Sequence, residues 1–202
     1  MQNNDYLFPG VAAIFLAMLV PLYWLGMATS VTDSDILWQD MMSLGLSDIV
    51  FAAIPLLTSY VYLKLKTILN ERWNVSQIDL LIFIMVAVNI LWVSTLLLDV
   101  TSALSSESSL AQNRETFLSI GTSVGVGGLF LFGVVDLLIG IFLLANATEL
   151  PSLLKAFAVL SIIQGVLGIT VILAALLIFI FPVTLIILAL LFLRKPESIE
   201  IV

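Results

Sequence analysis

The chain has 202 residues, 61% of them hydrophobic and only 10% charged, a formal net charge of -7, and neither cysteine nor histidine. With a mean hydropathy of +1.21 it is no soluble globular domain, and it reads instead as an all-α, polytopic transmembrane helical bundle forming one domain. The inventory excludes disulfides, thiolate or imidazole metal sites and Cys or His nucleophiles, and the acids, spread over loops and helix ends, read as solvated surface with no nucleic-acid partner.

Residues 1–6 lack a basic leader, and the apolar run from Leu7 to about Ala28 is longer than the core of a signal peptide, so it reads as span 1. Gly26-Met27-Ala28 is only a faint cleavage-like site. Pro21 is expected to kink this span, and Tyr23 with Trp24 suits an interfacial aromatic belt. Asp33 or Ser34 then caps a short interfacial helix carrying Leu37, Trp38, Met41 and Met42, beside the acids Asp33, Asp35 and Asp40. Span 2 is expected from about Leu44 to Leu65, with Thr58 and Ser59 placed to re-satisfy backbone freed by Pro55. Lys64, Lys66 and Arg72 mark the next loop as cytoplasmic. Span 3 follows from about Ile78 to Val100, with Asp79 and Asp99 at its ends and Asn89 near its centre.

Span 4, Leu129 to Ala147, carries a single acid, Asp136, near mid-depth. Joined to residues 117–128 it would make one helix of about 46 Å, longer than a bilayer core, so an interruption or close helix crossing is expected at Gly121, Gly125, Gly127 and Gly128. From Leu153 to Leu193 the chain is almost uninterruptedly apolar, roughly 61 Å if helical, and a hairpin resolves this. It places span 5 at about Ser152 to Ile178 and span 6 at about Pro182 to Leu193, with Pro182 at the first helical position. Six spans put Lys64, Lys66, Arg72, Lys155, Arg194 and Lys195 inside against Arg114 outside; with five spans, the alternative, that bias nearly vanishes. The expected location is the cytoplasmic membrane, with both termini inside.

Centring each span brings Asn89, Asp136 and Gln164 to one depth. Gly133, Asp136 and Gly140 share one face of span 4, and Ser161, Gln164, Gly165 and Gly168 share one face of span 5, which suits close packing of the two helices. No span carries a base near that depth, and an ionised carboxylate there costs ~2.5 to 3.5 kcal/mol, so the neutral acid is favoured unless a cation or water reaches it. We therefore expect Asp136, Asn89 and Gln164 to form a site for a proton or monovalent cation in a transport or ion-pathway protein. The alternative is an accessory protein whose polar residues only lock helix packing. Besides the bilayer, a homo-oligomer or a membrane-protein partner is compatible with the sequence; no cofactor or metal is expected. Nor is enzymatic activity: the two-acid design of intramembrane aspartyl proteases is missing, and Ser161 has no base to activate it.

One local pattern points elsewhere. Thr122-Ser123-Val124-Gly125-Val126-Gly127 resembles the T-V-G-Y-G selectivity filter of potassium channels, with Ser123 and Val126 departing from it. That resemblance would imply rings of backbone carbonyls in a tetramer, with Asp136 in the inner cavity.

Overall fold

Each long apolar run is helical in the computed structural model, which describes residues 5–32, 38, 44–105, 107–146 and 150–194. The helices are α1 (Leu7–Thr32), α2 (Leu46–Trp73), α3 (Asp79–Ser94), α4 (Leu96–Leu104), α5 (Glu107–Ala145), α6 (Ser152–Ile169) and α7 (Leu177–Leu193), the last preceded by a 3-10 turn, Ala174–Leu176. No strand occurs among the described residues. With α3 and α4 forming one span, 6 helical stretches are long and apolar enough to cross a membrane. The chain is a multi-pass membrane protein, and the five-span alternative falls. The short interfacial helix with Asp33, Asp35 and Asp40, as well as Lys195, lies outside the described residues; Trp38 stands with its ring centroid 5.6 Å from the Arg114 guanidinium.

Helix ends follow local chemistry that the hydropathy pattern does not reveal. α2 runs on to Trp73 and stops at Asn74, whose left-handed φ of 52° asparagine tolerates, while the Val75 N–H donates to the Leu69 carbonyl at 3.2 Å. Span 3 breaks at Thr95. Ser94 Oγ and Thr95 Oγ1 donate back to the carbonyls of Leu91 (2.6 Å) and Trp92 (2.7 Å), competing with the helix for its acceptors. In α2, Ser59 Oγ donates to the Pro55 carbonyl at 2.8 Å, but Thr58 Oγ1 bonds nothing.

The expected interruption at the glycine run is absent. α5 continues through it for 39 residues, about 58 Å of helix. A helical glycine costs only about 1 kcal/mol relative to alanine, too little to break a helix already bonded on both sides. Gly128 instead seats the Trp92 indole, which fills the space a Cβ would need, and Trp92 Nε1 donates to the Val124 carbonyl at 3.3 Å. This also removes the channel-filter resemblance, because in a helix residues 122–127 direct their carbonyls along the axis instead of into a pore.

The C-terminal hairpin is present, but its turn lies at residues 170–173, ahead of the expected site. Thr170 Oγ1 donates to the Leu167 carbonyl at 2.9 Å, and Val171 turns the chain with φ 52°. Pro182 is therefore inside α7, not at its start, and is buried there, a placement that neighbouring helices make tolerable in a membrane.

The spans close into a ring in chain order: α1 packs on α2, α2 on α3, α3 on α5, α5 on α6, α6 on α7, and α7 back on α1. One end of the ring carries Lys64, Lys66, Arg72, Lys155 and Arg194, and is called the basic end below. It is tied together by Tyr6 Oη donating to Glu71 at 2.6 Å, Asn146 donating to Gln77 at 3.1 Å, and a Lys66–Asp79 ion pair at 3.3 Å. Asn70 also donates to Asp79, at 3.0 Å.

Candidate functional site

The contact between α5 and α6 is set by glycine. A Cβ on Gly133 would stand 2.7 Å from the Ile169 nitrogen, on Gly140 2.5 Å from the Ala158 carbonyl oxygen, and on Gly165 2.6 Å from the Leu137 nitrogen. Nothing larger than hydrogen fits, so the two backbones touch. Ser161, on the same face of α6, is fully buried. Asp136 follows Gly133 by one turn on α5, and Gln164 precedes Gly165 on α6, so the same close approach carries both polar side chains into the ring.

There they meet Asn89 from α3 and Thr58 from α2, all four at most 2% exposed. These residues line one partly open cavity of about 460 Å³, which extends away from the basic end to Tyr23, Trp24, Phe51 and Ala174. Its walls are aromatic. Trp92 stacks on Phe132 with centroids 5.8 Å apart, and Phe132 meets Phe181 edge-on at 6.4 Å. Among the described residues, Asp136 is the only carboxylic acid in the lining, and no lysine or arginine lines it.

Asp136 Oδ1, Gln164 Oε1, Asn89 Nδ2 and Thr58 Oγ1 are all buried without a hydrogen-bond partner. Each such atom costs about 1 to 3 kcal/mol if nothing binds it. Next toward the basic end, Tyr62 Oη and Ser161 Oγ are buried without a partner in full hydrogen-bond geometry, and the Tyr62 phenol is the side chain placed to donate to the Asp136 carboxyl. Beyond them Leu65, Ile139, Leu143, Leu154 and Phe157 are fully buried and close the ring toward the basic end. The floor of the cavity is thus polar and underbonded, and the layer beneath it is a packed apolar plug.

The structure therefore brings Asn89, Asp136 and Gln164 to one cavity, with Gly133 and Gly168 in the same lining, while Gly140, Ser161 and Gly165 lie along the α5–α6 seam. Thr58 and Tyr62 belong to the site and were not foreseen. A signal was present: Pro55, Thr58, Ser59 and Tyr62 fall at i, i+3, i+4 and i+7, one face of α2, and all are buried. Among the described residues no group of three His, Cys, Asp or Glu side chains could hold a metal. Comparisons with protein-family models, curated proteins and solved structures each found no match.

Proposed function

We propose that this membrane protein is a small transport or ion-pathway protein, or the membrane subunit of one, in which Asp136 binds or relays a proton or cation while Asn89 and Gln164 position it. One observation carries this reading: the cavity ends on a buried acid, and Asn89, Gln164 and Thr58 in the same lining each keep a buried polar atom without a partner. Residues that served only to lock helices together would bond one another, since each unpaired atom is destabilising. A cation arriving from the cavity mouth meets the carboxylate with amide and hydroxyl groups around it, an arrangement that replaces lost hydration. Tyr62 and Ser161 offer the next polar positions toward the basic end. Passage beyond them needs the plug of Leu65, Ile139, Leu143 and Phe157 to part, which makes the present form open on one side only. In the same proposal the basic end faces the cytoplasm.

Reconstitution in liposomes tests the reading. Asp136→Asn keeps size and hydrogen-bonding capacity but removes the titratable proton. It should fold as the parent does and lose flux driven by a proton or cation gradient, with Asp136→Glu retaining a remnant. An Asp136→Asn protein with the parent's flux and pH dependence, or a parent silent under every gradient, would sink the proposal.

A further inference from the structure

We propose that the cavity takes a small lipophilic organic cation, a protonated amine, with its N–H groups at Asp136 and Gln164 and its apolar body against Trp92, Phe132 and Phe181. This rests on the reading of Asp136 as a cation-handling residue and names the class of cation.

Size argues first. A volume of about 460 Å³ is room for roughly fifteen waters at ~30 Å³ each, far more than a bare monovalent ion fills. An inorganic ion would have to keep much of its hydration shell against apolar, aromatic walls. An amine with a hydrocarbon body replaces that water instead, and the cavity lies within the ~300 to 1,000 Å³ typical of small-molecule sites, mostly apolar with a few placed polar groups.

Charge and hydrogen bonding argue second. Among the described residues the lining holds one carboxylic acid and no base, so there an anion finds nothing to neutralise it and a monocation finds one partner. Asp136 Oδ1 and Gln164 Oε1 are unpaired acceptors, and an ammonium N–H donates to such atoms. Indole and phenyl faces add attraction for a cation within about 6 Å, which a neutral ligand of the same shape does not gain. Asn89 Nδ2 remains a donor, so an acceptor elsewhere on the amine, an ether or hydroxyl, strengthens the fit.

The test uses the whole chain in nanodiscs and two probes of matched shape: 4-phenylbenzylamine, a primary amine that is cationic at neutral pH and has N–H groups for both acceptors, and its carbon isostere 4-ethylbiphenyl. Quenching of tryptophan fluorescence, to which Trp24 and Trp92 in the cavity contribute, reports occupancy. The amine should bind saturably and at least tenfold more tightly than the isostere, in the parent alone and so without reliance on any variant folding. Asp136→Asn should lose at least tenfold for the amine and little for the isostere. Equal binding of both probes would overturn the inference in favour of a neutral lipophile. If gradient-driven flux depends on Asp136 while the amine neither binds nor competes, the organic cation is wrong and the ion pathway stands. If neither flux nor amine binding responds to Asp136, both fall together.

Discussion

Gly133 and Gly168 face each other across the α5–α6 seam so closely that a Cβ on Gly168 would stand 2.9 Å from the Gly133 Cα. Gly165→Leu and Gly168→Leu force side chains into backbone that cannot retreat without opening the seam, and overpacking of this kind costs about 1 to 3 kcal/mol or more. Thermal unfolding in detergent should fall by several degrees for each. Gly127 has nothing within 4 Å of an added Cβ, so Gly127→Ala on the same α5 should be neutral or gain up to about 1 kcal/mol from helix propensity. Equal behaviour of the three variants would remove the seam as the reason for these glycines.

The turn between α6 and α7 is held by Val171 at φ 52°. A β-branched residue in the left-handed region is strained by about 1 to 2 kcal/mol, and glycine is not. Val171→Gly should therefore raise stability by about 1 kcal/mol after its own entropic cost, while Val171→Ala, which keeps a Cβ, should gain less. Detergent melts of the three proteins decide it; a less stable glycine variant would show that the valine side chain contributes more than the turn costs.

At the basic end, Tyr6 is pushed up to about 12 from an ordinary phenol value of 10.0, first by burial and then by its hydrogen bond to Glu71. Because the folded value is the higher one, the stability it contributes is intact below pH 10 and lost as pH rises through about 12. Ultraviolet titration of tyrosinate in the parent and in Tyr6→Phe should differ by one phenol with a midpoint near 12. A midpoint at the ordinary value would show that the Tyr6–Glu71 contact does not persist.

Orientation is open to a direct measurement, because the chain has no cysteine of its own. Ser76→Cys sits in the turn at the basic end and Ser109→Cys in the exposed first part of α5 at the other. An impermeant thiol reagent should label Ser109→Cys on intact spheroplasts and Ser76→Cys only after permeabilisation. The reverse pattern would invert the bundle and turn the cavity mouth to the cytoplasm.

The class of the protein and the depth of its polar residues were legible because both follow from quantities summed along a span. Twenty apolar residues must cross, and residues at matching distances from span centres share a level. Helix ends were not legible where the deciding residues were apolar. The turn at Thr170-Val171-Ile172-Leu173 contains no glycine or proline and continues the hydropathy of its flanks. Pro182 and the glycines before Leu129 were the visible punctuation, and neither acts as such, since the proline ring is accommodated by neighbouring helices, Gly128 seats an indole, and the other glycines stay helical at small cost. Thr58 escaped for a related reason: a hydroxyl beside Pro55 has a local use ready to hand, and only the packing of α2 against its neighbours shows that Ser59 takes the backbone and leaves Thr58 facing the cavity.

In the ring, every seam but one joins spans that follow one another in the chain; the exception sets α1 on α7, with Leu193 against Gly10 and the Phe192 ring stacked 6.1 Å from Tyr6. Local seams can form as each hairpin inserts, whereas this one must wait for the last helix, because contacts distant in sequence are made late. Until then the chamber is a cleft with Val20 and Trp24 on one lip and no Phe181 opposite. Thr58, Asn89, Asp136 and Gln164 sit on α2, α3, α5 and α6, so the polar floor can be in place before the last span arrives to enclose it.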